Sequence, residues 1–353
     1  MEGFKAFLKR KNIEISAKRY GIDALGAMAQ GLFCSLLIGT IIKTLGQQLS
    51  IQYLIDIGAY AMSVSGPAMA VAIGYALKAD PMVLFSLAAV GWAANAEGGA
   101  GGPLAVLIIA IIAAECGKMV SKETKVDILV TPIVTILIGI GAAWIIAPPI
   151  GGAASAFGQL IMRTTELQPF FMGILVSVIV GIALTLPISS AAICAALGLT
   201  GLAGGAAVAG CCAQMVGFAV MSFKENKWSG LLAQGIGTSM LQIGNIVKNP
   251  LIWIPPTLAS AVTGPIATCI FRMKMNGDAV ASGMGTCGLV GQIGVYTGWI
   301  NDITAGTKAG ITSMDWLGLV LVCFILPAVL TLVFAYPMRK KNLIKENDLK
   351  LDL

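Results

Sequence analysis

Glu97 is the residue in this sequence best placed to do chemistry. It is a carboxylate among apolar and small residues, in Trp92-Ala93-Ala94-Asn95-Ala96-Glu97-Gly98-Gly99-Ala100-Gly101-Gly102-Pro103. A carboxylate that accepts, an amide that donates and accepts, and an indole that packs on a pyranose face form a sugar-binding set from Glu97, Asn95 and Trp92. The carboxylate can also orient or deprotonate a hydroxyl, which is the one catalytic role the set offers. The competing reading is an ordinary exposed turn between two apolar runs.

Gln234, Thr238, Gln242 and Asn245 follow at spacings of four, four and three, which puts them on one face if 229–247 is a helix. Leu232, Ile236, Met240 and Val247 fall opposite. Such a face lines a polar cavity or hydrogen-bonds to neighbouring helices. Gln159 and Gln292, in the paired strings Phe157-Gly158-Gln159-Leu160 and Val290-Gly291-Gln292-Ile293, complete the substrate-binding candidates. Glu115 stands late in an apolar run near Lys118 and Lys122, where it reaches the interface or carries a proton. Arg163 with Glu166, and Lys224 with Glu225, read as loop ion pairs.

Other chemistries are poorly served. The chain has no histidine, which removes the commonest proton shuttle, metal ligand and phosphoryl carrier. Its eight cysteines fall in or beside apolar runs with no CxxC or Cys/His spacing, so neither a metal nor a cofactor is expected. Gly283-Met284-Gly285-Thr286-Cys287-Gly288 matches GxGxxG literally. It lacks the preceding strand and the acidic residue that a dinucleotide site needs.

The elements that must hold these groups are membrane helices. Charged residues are 11% of the 353 and hydrophobic ones 57%, too little polar surface for a water-soluble domain. Eleven runs read as spanning or entering segments: 24–45, 53–77, 81–96, 103–120, 128–147, 169–198, 201–222, 229–247, 250–271, 279–299 and 315–337. Helices are the default because lipid offers backbone groups no partner. The basic opening of the chain does not read as a cleavable signal. It can form an amphipathic helix with Phe4, Phe7 and Leu8 toward the acyl chains.

Eleven of the 23 basic residues lie at the two ends, before Tyr20 and from Arg339 on, so both termini are expected in the cytoplasm and the number of crossings is even. The net charge of +6 thus reports topology and not nucleic-acid binding. Gly-rich 150–163 and 279–299 are expected to be re-entrant hairpins, which leaves about ten crossings; a close-packed helix is the alternative for 279–299. Gly66-Pro67-Ala68 against Leu186-Pro187-Ile188, Thr131-Pro132 against Pro255-Pro256, and the two Gly-Gln strings suggest two internal repeats. The whole of 1–353 reads as one all-α polytopic membrane domain, with a basic segment 1–23 and a basic tail 338–353.

The strings Asn249-Pro250-Leu251-Ile252-Trp253-Ile254-Pro255-Pro256-Thr257-Leu258-Ala259-Ser260, Val262-Thr263-Gly264-Pro265-Ile266-Ala267-Thr268 and Gly283-Met284-Gly285-Thr286-Cys287-Gly288-Leu289-Val290-Gly291 resemble a bacterial family. It is that of the phosphotransferase-system sugar-transporting EIIC subunits which includes the perfringolysin regulator PfoR. The resemblance covers nearly the whole chain. It implies a dimeric sugar permease of about ten spans with re-entrant hairpins in the cytoplasmic membrane. A separate EIIB, charged by EIIA and HPr, would phosphorylate the sugar. EIIC sites often hold a histidine beside a glutamate, and here only the glutamate is present. No part of the sequence resembles EIIA or EIIB, so the phosphoryl donor is expected on other polypeptides.

The leading expectation is therefore a sugar permease with Glu97 as the catalytic carboxylate. The others are a membrane regulator of the PfoR type without transport, and a secondary transporter coupled through Glu97 or Glu115.

Overall fold

The computed structural model describes residues 2–351, the side chains of 2–5 and 196 excepted. The side chain of Phe4 and the last two residues of the 338–353 tail therefore lie outside the described residues. The chain is an all-α polytopic membrane protein, with no strand among its described elements. It packs as two compact units, 1–154 and 155–353, taken here in turn.

The first unit begins with α1 (Glu2–Arg10). The long helix α2 (Arg19–Leu49) follows, then the pair α3 (Gln52–Ser63) and α4 (Ser65–Ala76), bent by 47°. α2 and the bent pair run antiparallel, with Gly31 against Ala68 and Gly39 against Gly58. α5 (Pro81–Gly98) and α6 (Gly102–Val120) each start with proline in the first turn, where a missing N–H costs nothing. The turn Gly99–Gly101 folds them back on each other, and its first residue has φ +50°, a conformation that glycine supplies. α4 crosses α5 at Gly66 and Gly91 so closely that a methyl on either would overlap the other's carbonyl oxygen.

α7 (Asp127–Thr165) is one helix of 39 residues with Pro132, Pro148 and Pro149 inside it. At about 1.5 Å per residue it is roughly 58 Å long, well beyond a hydrocarbon core of about 30 Å. The stretch 150–163 is the continuous last part of this helix and not the hairpin its glycines suggested. Helix hydrogen bonding satisfies that backbone without a turn, and small residues do not by themselves break a helix.

The second unit is built round α10 (Gly201–Met221), which is buried along nearly its whole length. α8 (Pro169–Thr185) runs parallel to it: Ser177 and Gly181 lie against Gly210, and Thr185 against Gln214. Parallel neighbours need a return path. The chain leaves Thr185, turns through α9 (Ser190–Ala196), and regains the first end at Gly201, beside Met275.

α13 (Pro250–Ile270) runs antiparallel to α8. Thr268 at its far end donates to the Pro169 carbonyl (2.8 Å). α15 (Ser313–Lys340) runs parallel to α10, from Gly318 against Phe271 to Arg339, which donates to the Met221 carbonyl (2.8 Å). Arg339 also pairs with Glu225 (3.0 Å), where the spacing had suggested Lys224 as the partner.

The remaining two segments each double back on themselves. In 223–248, α11 (Phe223–Leu232) runs into a wide turn, the backbone becomes extended at Thr238 (φ −160°), and Ser239–Gln242 with α12 (Ile243–Lys248) returns. The continuous helix expected over 229–247 is thus broken in the middle. In 273–304, a short helical turn at Ala279–Gly283 leads to Gly285, Gly288 and Leu289, all at positive φ, and α14 (Val290–Thr304) runs back. Asn276 donates to Asp302 (2.9 Å), so the two arms end side by side.

The proposed repeats differ locally. Phe157–Leu160 lies inside α7, whereas Val290 opens α14.

Candidate functional site

Within the second unit, three chain reversals converge on the middle of α10. Ser282 donates to the Leu199 carbonyl (2.6 Å) and Ser190 to the Gly283 carbonyl (2.7 Å), locking the loop after α8 to the inward arm of 273–304. Beyond that lock, Thr286 at the turn donates to the Met215 sulfur (3.5 Å). From the opposite end comes the 223–248 segment, whose Ser239 hydroxyl lies 2.8 Å from that of Thr185.

These tips meet at a buried amide. Gln214, fully buried on α10, accepts from Trp253 Nε1 (2.9 Å) and donates to Thr257 Oγ1 (3.2 Å); Thr185 approaches its oxygen at 3.4 Å. Every polar atom of this cluster has a partner, as burial in an apolar surround demands. Thr185, Gln214, Ser239 and Trp253 were not among the sequence candidates. One signal for them existed: Gln214 is the lone amide in the apolar run 201–221, and a polar group there is costly unless paired.

Gln292 sits close by on α14. It is 7% exposed, its Nε2 donates to Cys212 Sγ (3.1 Å), and its Oε1 has no partner among the described residues. The break at Gly285–Leu289 places this amide at the start of the returning arm.

Gln234, Gln242 and Asn245 come together, but not along one helical face. Gln242 Nε2 donates to Gln234 Oε1 (2.8 Å) across the fold of the segment, and Asn245 Nδ2 donates to Gln242 Oε1 (2.8 Å). Gln234 in turn donates to Ser222 Oγ (2.8 Å). Thr238 is buried at the break, where its hydroxyl caps Met240 N (3.1 Å). Gln159 is exposed on α7.

In the first unit, Trp92 is 64% exposed, Asn95 half-buried and Glu97 exposed at the end of α5. The side chains of Asn95 and Glu97 make no hydrogen bond among the described residues. Glu115 is buried, with Lys118 on one oxygen (2.8 Å) and the Tyr20 hydroxyl on the other (3.1 Å). Lys118 also donates to the carbonyls of Asn12 (2.9 Å) and Leu77 (3.0 Å).

Outside the spans, burial alone would raise the Asp80 carboxyl. Hydrogen bonds from Lys122 and Ser121, with the charges of Lys122 and Lys11, hold it below the usual range instead. Lys122 is raised by the same contact. Glu123 is lowered chiefly by its hydrogen bond from Lys11, with Arg10 adding its charge. Among the described residues no group of three or more His, Cys, Asp or Glu side chains is arranged to hold a metal.

Chain reversals that close on buried amides and hydroxyls suit a protein that handles a polyhydroxylated solute. The sequence profile of the family described as "Phosphotransferase system, EIIC" matches residues 22–351. No match is found among curated proteins or solved structures. The family role is that of a sugar permease in the cytoplasmic membrane, served by cytoplasmic EIIA and EIIB partners. The chain belongs to the phosphotransferase system EIIC family.

Proposed function

We propose that this chain binds its sugar beside the turn of 273–304 and delivers it to a separate EIIB for phosphorylation. The observation that carries the site is Gln292. A buried amide oxygen without a donor costs about 1–3 kcal/mol, and a sugar hydroxyl removes that cost by donating to it. The Gln214 cluster behind it supports the site as a rigid polar backing.

The charge pattern supports an orientation for each unit. In the first, Arg10, Lys11, Lys78, Lys118 and Lys122 gather at one end; in the second, Lys224, Lys227, Lys248, Arg339, Lys340 and Lys341 do. Both ends are cytoplasmic by the positive-inside rule, and so are both termini. The segments 169–200 and 273–304 then enter from outside and 223–248 from the cytoplasm. Eight passes remain: α2, α3–α4, α5, α6, α7, α10, α13 and α15. The number stays even, with three returning segments where two were expected.

In the first unit, taken by itself, Glu97 stays in the reading as a carboxylate that orients a sugar hydroxyl at the end of α5 remote from Asp80; its freedom from side-chain hydrogen bonds supports this. Trp92 and Asn95 stay in the reading as sugar contacts of the first unit and Gln159 as one of the second, each unit taken by itself, and a homodimer as the assembly. Gln234, Thr238, Gln242 and Asn245 enter it as the frame of the cytoplasmic segment. Coupling through Glu115 is disfavoured, because both of its oxygens are engaged.

The test is a thermal-shift screen of the purified protein against mono- and disaccharides. One sugar class is expected to stabilise the protein, and Gln292→Leu to abolish that shift while unfolding at an unchanged or higher temperature. Sugar binding that survives Gln292→Leu would remove this site. A complete lack of sugar response would favour the regulator reading.

A further inference from the structure

After α15 the chain folds back onto the 223–248 segment. Asn226 Nδ2 donates to the Leu349 carbonyl (2.7 Å), and its Oδ1 accepts from Leu351 N (2.8 Å). Gln242 Nε2 also donates to the Leu349 carbonyl (3.0 Å), and Asn245 Nδ2 to that of Lys350 (2.8 Å). Asn249 reaches the Leu343 carbonyl (3.0 Å) and the Asp348 carboxylate (2.7 Å). Leu349 is completely buried and Ile344 nearly so.

Four amide side chains of one short segment are thus spent on the main chain and one carboxylate of the tail. A charged, exposed terminus has no need of such a seat, because water satisfies its backbone equally well. The seat matters to the segment beneath it. Gln242 uses one N–H on the tail and the other on Gln234, and it stands three residues from Ser239, whose hydroxyl closes on Thr185. Removing the tail leaves Gln242 and Asn226 short of partners and opens the apolar socket of Leu349, so the segment loses what presses its tip inward.

We infer that Leu343–Leu351 is a latch: seated, it holds the 223–248 segment against Thr185; unseated, it lets that segment withdraw and opens the cytoplasmic side of the sugar route. The inference rests on the reading of 223–248 as the segment that enters from the cytoplasm.

The test uses the full chain with Met240→Cys as a reporter. Met240 is buried beside Ser239, and its side chain takes no part in the polar contacts. In inverted membrane vesicles, labelling of residue 240 by an impermeant maleimide is quantified by peptide mass spectrometry, with buried Cys211 as the internal reference. Leu349→Glu is expected to raise the labelling rate at 240 at least tenfold and to expose the tail to trypsin after Lys345, while Leu349→Met changes neither. Should Leu349→Glu fold poorly, Asn226→Ala with Asn245→Ala unseats the tail in an otherwise whole core and gives the same readout. A tail that trypsin removes while residue 240 stays unlabelled overturns the latch. Labelling at 240 that rises only from the external face overturns the cytoplasmic assignment on which it rests. Sugar handling is not measured, so failure of the Gln292 site would leave this result standing.

Discussion

The hydroxyls of Thr185 and Ser239 lie 2.8 Å apart although 54 residues separate them, and they join the tips of two chain reversals that come from opposite ends of the second unit. Thr185 ends α8 seven residues short of the level at which α10 finishes, since it pairs with Gln214 and not with Met221. Ser239 follows the extended backbone at Thr238, which ends the inward arm of its own segment. The contact therefore sits at the bottom of both excursions.

Removing one partner should cost more than the bond is worth. Ser239→Ala leaves the buried Thr185 hydroxyl with only its weaker contacts at 3.4 Å, and about 1–3 kcal/mol of stability should be lost. Thr185→Val with Ser239→Ala removes both polar groups and should cost less than the sum of the two single changes. Thermal unfolding in detergent of the two single variants and the double variant measures this; strict additivity would mean the hydroxyls do not interact.

Glu97→Gln should keep the fold, because the side chain is exposed and makes no internal hydrogen bond to lose. The amide retains hydrogen bonding but has no charge and cannot act as a base. Sugar uptake by membranes supplied with the phosphoryl-donor subunits should fall by about 10–10²-fold, the loss of a charged hydrogen-bond partner worth about 1.5–3 kcal/mol. Full activity would remove Glu97 from the mechanism, and loss of folded protein would make it structural.

The contact between Asp80 and the 121–122 turn should fail in acid. The folded Asp80 pKa is depressed, so its contribution to stability is complete above the unfolded value, near pH 4, and is lost as pH falls through the folded value. Between neutral pH and about pH 5 the contribution should be flat. Asp80→Asn should therefore flatten part of the acid limb of a melting-temperature profile and leave the neutral plateau parallel to wild type. An identical acid limb in the variant would show that the contact carries no linkage.

Topology can be read with fusions. A phosphatase reporter in 306–311 should be active outside the cell, whereas one fused after the tail should be inactive and a fluorescent protein there should glow. Activity of a phosphatase at the C-terminus would reverse the orientation of the second unit.

Membrane class and helical architecture were legible without coordinates. A mean hydropathy of +0.87 with most of the charge at ends and loops leaves no soluble alternative, and lipid leaves no backbone alternative to the helix. The break within 279–299 was legible too, because Gly285 and Gly288 sit where positive φ lets the chain reverse. Periodicity misled at 229–247. Spacings of four, four and three define a shared face only while the helix is continuous, and the extended Thr238 ends it, so Gln234 and Gln242 meet across a fold and Gln242 holds the tail. The same logic in reverse hid 150–163, where small residues looked like a turn and the helix ran on. Composition and local pattern report how each segment meets lipid and water, since those energies depend on neighbours in sequence. Which tips touch, which amide remains unpartnered and where the tail docks depend on pairs 50 to more than 100 residues apart. Such pairings are chosen by the packing of the whole unit, and no local pattern records them.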